Sequence, residues 1–426
     1  MSLIHKRVLN VRKQGLTSKN GTSTSDDRSP DRFVVPTMII ATSAVAASST
    51  ILTLFMVDIA SAFNVPVGVA SQLATVNYAG EFVFSILLSA LVVRFKYKSL
   101  ILAGVLVTVV SAIGNFFAPN FLTMQIFFVL EGIGSVIVSV MSLTLFGDLF
   151  SPKKRAKMVS YLVATLWVTA LISFPWAGLI ANIMGWRFIF VLHVLPLSLV
   201  GLILAFLFVP SISRVKSKIA KDPSYLKNYK QIFANKSATA CLVATVIAAS
   251  GRQVGIFGVA FYRQQFLMSL DFTVAVSVAI IGINVVGSVV AGRLTSRFGA
   301  KPMVVSNRVL SGFFTMMFFL VPNVWVALLF DFLQVWFASL TAPAYQCLAL
   351  AQVPKSRGTM MSLNHAMGSL SRTIAPAIGG VLLVWTLGFY GALGLAFGVM
   401  TIASAIILLL LAKEPTEEQL QPKDAK

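Results

Sequence analysis

Twelve apolar runs follow one another along this chain, each long enough, when wound as a helix rising 1.5 Å per residue, to cross the roughly 30 Å hydrocarbon core of a bilayer. They cover roughly 34–62, 68–92, 99–118, 123–147, 157–182, 187–210, 238–267, 272–295, 302–321, 324–350, 357–385 and 388–412. Short polar segments separate them, with the exception of a longer Lys-rich stretch at 211–237. The pattern predicts an all-α membrane protein of twelve transmembrane helices. Its organisation follows: a tail at 1–33, a six-helix bundle at 34–210, a linker at 211–237, a second six-helix bundle at 238–412 and a tail at 413–426.

The two bundles read as copies of one unit. SALVVRFKYK, from Ser89 to Lys98, returns in altered form as GRLTSRFGAK, from Gly292 to Lys301, an offset of 203. In nearly the same register Pro152-Lys-Lys-Arg155 returns as Pro354-Lys-Ser-Arg357, and Pro175 with Gly178 returns as Pro376 with Gly379.

Composition agrees: with 57% hydrophobic and 11% charged residues, the chain has too little polar side chain to cover a water-facing surface of its size. The net charge of +20 would point a soluble protein toward nucleic acid, but here its placement decides. Arg94, Lys96, Lys98, Lys153, Lys154, Arg155, Lys157, the linker, Arg293, Arg297, Lys301, Lys355 and Arg357 all fall in alternate loops, and the opposite loops are almost bare of Lys and Arg. The positive-inside rule then puts both termini and the linker in the cytoplasm of a multi-pass cell-membrane protein, with no nucleic-acid partner. Residues 1–33 are basic, rich in Ser and Thr and without an apolar core, which predicts a disordered cytoplasmic tail rather than a signal peptide. Cys241 and Cys347 fall inside spans, where they are expected to pack as small apolar residues.

Ionisable residues at mid-membrane are costly, so each is a functional candidate. The first half carries Asp58, Glu81 and Glu131, whereas the second carries Arg252, Arg263, Arg308 and Arg372 with Asp331 and His365. One wall is acidic and the other mainly basic. Helical spacing groups them into faces: Glu131 with Ser135, Ser139 and Ser142; Asn77 with Glu81, Ser85 and Ser89; Ser277 with Asn284 and Ser288; Asp331 with Gln334, Thr341 and Tyr345; His365 with Arg372. Glu81 and Asn284 occupy equivalent positions in the two copies. Asp58 and Arg263 lie toward the outer ends, where snorkelling or capping is the plain expectation. Arg308 reads as an anchor near the cytoplasmic side, Arg372 as a candidate for packing within its own bundle, and His193 as an interface residue.

Twelve spans in two halves, with a short basic loop after the second span of each, resemble the major facilitator superfamily. GRLTSRFGAK is similar to that family's loop signature, approximately GxLaDRxGRR, in Gly292, Leu294, Arg297, Gly299 and Lys301, with Ser296 where the acid stands. The first copy keeps Arg94 but has Ser89, Val93 and Lys96 at the Gly, Asp and Gly positions. Gly185-Trp-Arg-Phe-Ile-Phe190 resembles the GWRWIF of the drug-proton antiporter branch. The resemblance implies a gating loop built on Arg94, Arg297, Gly292 and Gly299, a tight cytoplasmic turn at its Gly, and monomeric work by rocking of the bundles about a midplane site. It also implies a small-molecule substrate and protons as partners; no cofactor is expected.

A carboxylate withdrawn from water favours its neutral form and can exchange protons near neutral pH. Glu81 and Glu131 are the first proton-coupling candidates, followed by Asp331 and Asp58. Arginine stays charged, so Arg252 and Arg372 can hold an anionic group, with Asn284, Gln334, Tyr345 and His365 completing the substrate-binding set. Three functions fit: proton-coupled efflux of small organic compounds, which leads; a proton symporter for uptake of an organic anion; and a transporter-like sensor or scaffold. An enzyme is not expected, since there is no GxxxxGK[ST] loop, the three histidines are dispersed and lie near no metal-ligand spacing, and no Ser, His, Asp set shares a surface.

Overall fold

The structure, a computed structural model, describes residues 33–150, 152–211, 230–251, 254–353 and 357–413. Its elements are α1 (Val34–Ala62), α2 (Val67–Ala70), α3 (Gln72–Arg94), α4 (Tyr97–Phe117), α5 (Phe121–Leu149), α6 (Pro152–Met184), a π turn (Phe190–Val194) running into α7 (Leu195–Phe208), α8 (Lys236–Gly251), α9 (Val254–Gln265), α10 (Leu270–Phe298), α11 (Ala300–Leu320), α12 (Val324–Gln352), α13 (Arg357–Trp385) and α14 (Tyr390–Leu411). Ten helices among the described residues are long and apolar enough to cross a membrane. The second and seventh expected spans are built in two pieces: α2 with α3, and α8 with α9, between which Arg252 and Gln253 lie outside the described residues. The predicted tails and most of the linker also lie outside them. Large apolar side chains such as Phe117, Leu122, Ile183 and Phe206 are exposed on the outer surface, as lipid-facing positions of a multi-pass membrane protein are.

The doubling seen in the sequence reappears as packing. In the first half α1 packs on α5, α6 and α7, α3 on α5, and α4 on α5 and α7; in the second α8 packs on α12, α13 and α14, α10 on α12, and α11 on α12 and α14. Shifting the first list by one repeat produces the second. The halves meet through α1 with α9, α3 with α13, and α6 with α10. The repeat exchanges the last two pairs, so a pseudo-twofold relates the halves.

Local chemistry sets the ends of the elements. Asn120, Ser269 and Asn323 each cap a helix start, accepting hydrogen bonds from the backbone N–H of Thr123, of Phe272, and of Trp325 and Val326. Arg187, of the GWRF segment, donates to the Phe116 and Ala118 carbonyls at 3.1 and 2.9 Å, which satisfies the otherwise orphaned end of α4. The turn from α10 to α11 is made by Gly299, with φ +88°. The tight turn expected of the loop signature is thus made by the second of its glycines, whereas Gly292 lies inside α10 with open space where a Cβ would stand. Arg94 and Arg297 are both exposed, and Arg297 lies over the Phe298 ring at 5.4 Å.

The contacts that join the halves gather at the end of the bundle opposite the termini. There Gly68, in α2, and Gly380, in α13, face each other so closely that a Cβ on Gly68 would stand 2.4 Å from the Gly380 carbonyl oxygen, and one on Gly380 2.3 Å from that of Gly68. Small residues permit such backbone contact where lipid supplies no hydrophobic drive. Nearby, Asn182 donates to Asp271 across the halves at 2.8 Å. Arg263 engages Asp58 with both terminal guanidinium nitrogens, the hydrogen bond from Nη2 being 2.9 Å long. The expectation that these two residues snorkel or cap separately is therefore corrected: each is the other's partner, because a charge at that depth is cheaper to pair than to expose.

Two outcomes follow for this seal. In Gly68→Leu or Gly380→Leu, the distance between spin labels at Asn64 and Leu387, read by pulsed electron resonance, is expected to gain a longer population; an unchanged distribution would show that this contact does not hold the end shut. The side chains of Arg263 and Asp58 are 16% and 29% exposed, so screening trims the pair below the ~3–5 kcal/mol of a fully buried one. Asp58→Asn and Arg263→Gln are each expected to lower the melting temperature, and the charge swap Asp58→Arg with Arg263→Asp to recover most of the loss.

Candidate functional site

Below that seal, on the side of the termini, lies a cavity of about 630 Å³. The second half supplies most of its wall, from α8 to α14, while the first half contributes Thr53, Trp167 and Phe174. Spacing along the helices explains the set. Ser277, Asn284 and Ser288 bring one face of α10 to the cavity, and Asp331, Gln334, Thr341 and Tyr345 one face of α12, as their sequence intervals predicted. His365 and Arg372 do the same from α13. Of the substrate-binding candidates, five thus line one space, and Arg252 lies outside the described residues.

At mid-membrane the cavity is bounded by an ion pair between the halves. Arg372 Nη2 lies 3.1 Å from Glu81 Oε1 and donates also to Ser369 Oγ at 3.0 Å. The guanidinium stands 5.5 Å from the centre of the Tyr78 ring, a cation–π arrangement. Packing of Arg372 within its own bundle is accordingly corrected: its charge is answered from the other half. The Arg372 side chain is 37% exposed and that of Glu81 15%, so the arginine faces the cavity while the acid stays behind it.

Glu131 is buried at 4% exposure and does not line the cavity. Gly132 beside it brings α5 against α3, where a Cβ would stand 2.0 Å from the Asn77 carbonyl oxygen, and Asn77 donates to the Phe128 carbonyl at 3.0 Å. Glu131 and Glu81 both lie within electrostatic reach of Tyr78. Glu81 thus faces Arg372, and Glu131 stands in the helix layer behind. Along the Glu131 face, Ser142 donates to the Met38 sulfur at 3.4 Å and serves packing.

Deeper in the cavity, toward the sealed end, Asp331 is 3% exposed and accepts from Tyr262 Oη at 3.1 Å and from Gln334 Nε2 at 3.0 Å. Toward the termini, Tyr345 donates to the Cys241 carbonyl at 2.5 Å, and Thr245 donates to Asn364 Oδ1 at 2.6 Å. Arg308 corrects its expected role as a surface anchor. It is 5% exposed, lines the cavity, hydrogen-bonds Ser404 Oγ at 3.2 Å and lies 4.7 Å from the Tyr345 ring centre. His193 sits within the first half, 2.7 Å from Ser173 Oγ, rather than at the junction of the halves. Cys241 is buried as expected, but Cys347 is exposed.

Sequence reasoning passed over Tyr78, Asn364 and Thr245. Signals for two of them were present: Tyr78 precedes Glu81 by one helical turn, and Asn364 precedes Arg372 by about two, so each shares its neighbour's face.

Known proteins give this architecture a name. The family model of the Major Facilitator Superfamily matches residues 38–284 and 273–426. Among curated relatives, the MFS-type transporter YceJ of Bacillus subtilis (strain 168) is 23% identical over 359 residues, covering 82% of this chain and 86% of that protein. The gentisate transporter of Corynebacterium glutamicum is 24% identical over 385 residues, covering 83% and 82%. Among solved structures, a D-xylose-proton symporter superposes with a TM-score of 0.75 at 15% identity, covering 90% of this chain and 98% of that one. A bacterial homologue of the human lysosomal transporter Spinster, inward-facing and unoccupied, gives 0.70 at 15% identity, covering 91% and 96%. These matches span both halves and agree with the doubled helix packing, so the chain belongs to the major facilitator superfamily.

Proposed function

We propose that this protein is a proton-coupled transporter of small organic anions that works by alternating access, with both termini in the cytoplasm of a cell membrane and the bundles at 34–210 and 238–412 as its moving parts. The observation that carries the reading is the Glu81–Arg372 pair at the cavity wall. A cavity with Arg372 and Arg308 in its lining, and Asp331 as its lining carboxylate, favours a substrate with a negative charge. Trp167, Phe174, Tyr262 and Tyr345 offer flat apolar surface beside it. Similarity to a transporter of gentisate, an aromatic carboxylate, supports the same class.

Efflux of small organic compounds by proton exchange, the reading that leads on sequence, has less support. The GWRF segment, one part of the likeness to antiporters that suggested it together with the acids Glu81 and Glu131, is occupied with a helix end, since Arg187 caps α4. A scaffold without transport is disfavoured by a polar cavity and by charges paired between halves that must part when the halves rock.

Coupling follows from competition for one guanidinium. With Glu81 ionised, Arg372 is held across the junction. Protonating Glu81 removes that partner and leaves Arg372 to take a substrate carboxylate through charge-assisted hydrogen bonds. Proton and anion therefore bind together, and the protein can reorient without an unpaired charge at mid-membrane. An inside-negative potential gives an entering proton about 2.3 kcal/mol per 100 mV, which favours uptake whenever protons exceed anions in number. Glu131, behind Tyr78, is a second acid for the proton to reach.

In proteoliposomes, an inward proton gradient is expected to drive accumulation of an aromatic carboxylate such as gentisate. Arg372→Ala should weaken its binding ten- to a hundredfold, the worth of a hydrogen-bonded charge. Glu81→Gln, which imitates the protonated acid, should still exchange substrate across the membrane, at a rate independent of pH, but should no longer accumulate it. Gradient-driven accumulation that survives in Glu81→Gln would remove Glu81 from the coupling step, and movement of cations alone would return the efflux reading to first place.

A further inference from the structure

Asp331 is a carboxylate in the wall of the cavity that the coupling step leaves unused. A pair of neutral donors already fixes it, Tyr262 on one oxygen and Gln334 on the other. An ionised carboxylate offers about four lone-pair sites, so two hydrogen bonds leave roughly half its accepting capacity. Tyr262, Asp331 and Gln334 all line the cavity, which makes that capacity available to a molecule bound there. The donors also lock the rotamer, because Gln334 lies three residues along the same face of α12 and Tyr262 is wedged among Phe261, Phe272 and Phe318.

Position along the membrane adds direction. Arg372 lies thirteen residues from the sealed-end terminus of α13, and Asp331 seven from that of α12. At 1.5 Å per residue the acid is roughly 9 Å closer to the sealed end than the arginine. A ring with a carboxylate at one end and a hydrogen-bond donor at the other would lie along that direction, its acid toward Arg372 and its donor toward Asp331.

We infer that Asp331, oriented by Tyr262 and Gln334, is a specificity-determining acceptor that selects anions carrying a hydroxyl on the part of the ring remote from their carboxylate. This rests on the anion-transport reading above and names the substrate class of the same cavity. A substrate without the hydroxyl leaves a buried carboxylate under-satisfied, and such sites discriminate strongly against the analogue that lacks the group. The role assigns Asp331 to recognition rather than to proton carriage.

The test is competition. Purified protein in proteoliposomes takes up labelled 4-hydroxybenzoate under an inward proton gradient, and unlabelled 4-hydroxybenzoate and benzoate are compared as inhibitors, with Arg372→Ala as the control for the anion site. Wild type is expected to prefer the hydroxylated acid by tenfold or more, and in Asp331→Asn the ratio should collapse toward one. An Asp331→Asn protein that melts like wild type and keeps the wild-type ratio overturns the inference. So does a wild type that binds the two acids equally, while Arg372-dependent transport of both would leave the anion-transport reading standing. If wild type moves neither acid, both readings fall together. Should Asp331→Asn not fold, Gln334→Leu decides: release of the locked rotamer is expected to cut the ratio about threefold, and an unchanged ratio rejects the role.

Discussion

A charge inside a bilayer has to find a partner, and for two acids and two arginines of this chain the partners stand on opposite halves. Asp58 and Glu81 belong to the first half, Arg263 and Arg372 to the second, and each acid meets its arginine only where the halves touch. Much else in the arrangement depends on this. The pair near the sealed end sits beside glycines that let backbones meet, and forms part of a seal. The pair at mid-membrane borders the cavity, where its arginine is open to a ligand and its acid is not. Such a pair is weak as a source of stability, because desolvation takes back much of the Coulomb energy. Its use is that it is conditional: whatever neutralises one member alters what the other can hold.

The cavity is lopsided for a related reason. Its second-half wall carries polar residues at helical intervals on α10, α12 and α13, whereas the first half contributes Thr53 and two aromatic rings. Glu81 and Glu131 of the first half are drawn back from the space, Glu81 behind Arg372 and Glu131 behind α3. In the proposed cycle this divides labour. The second half recognises the ligand and the first half supplies the group whose charge changes.

Some features that look functional in a sequence turn out to maintain the scaffold. Arg187 stands in a motif that resembles one from antiporters, yet it closes the end of α4 by binding two carbonyls. Gly292 and Gly299 both match the loop signature by position, but only Gly299 adopts a conformation that needs a glycine, with positive φ. A motif reports which residue types are present. The dihedral angle and the hydrogen-bond partner report which one bears the constraint.

The sequence by itself determined the helical membrane fold, the doubling and the grouping of polar residues into faces. These depend on short-range periodicity: the length of an apolar run against bilayer thickness, and the 3.6-residue turn that puts Asp331 with Gln334 and Tyr345, or Asn284 with Ser277. The opposition of acids in one half to arginines in the other was also legible, because it is a matter of composition. Only the tertiary structure decided which acid meets which arginine, that Arg308 is enclosed rather than anchoring at the surface, and that Glu131 stands one layer behind the cavity while Asp331 lines it. Those facts depend on how α1, α3 and α6 dock on α9, α13 and α10. Docking joins residues some two hundred to three hundred positions apart through shape and small-residue contact, and neither quantity has a period that a linear reading can detect.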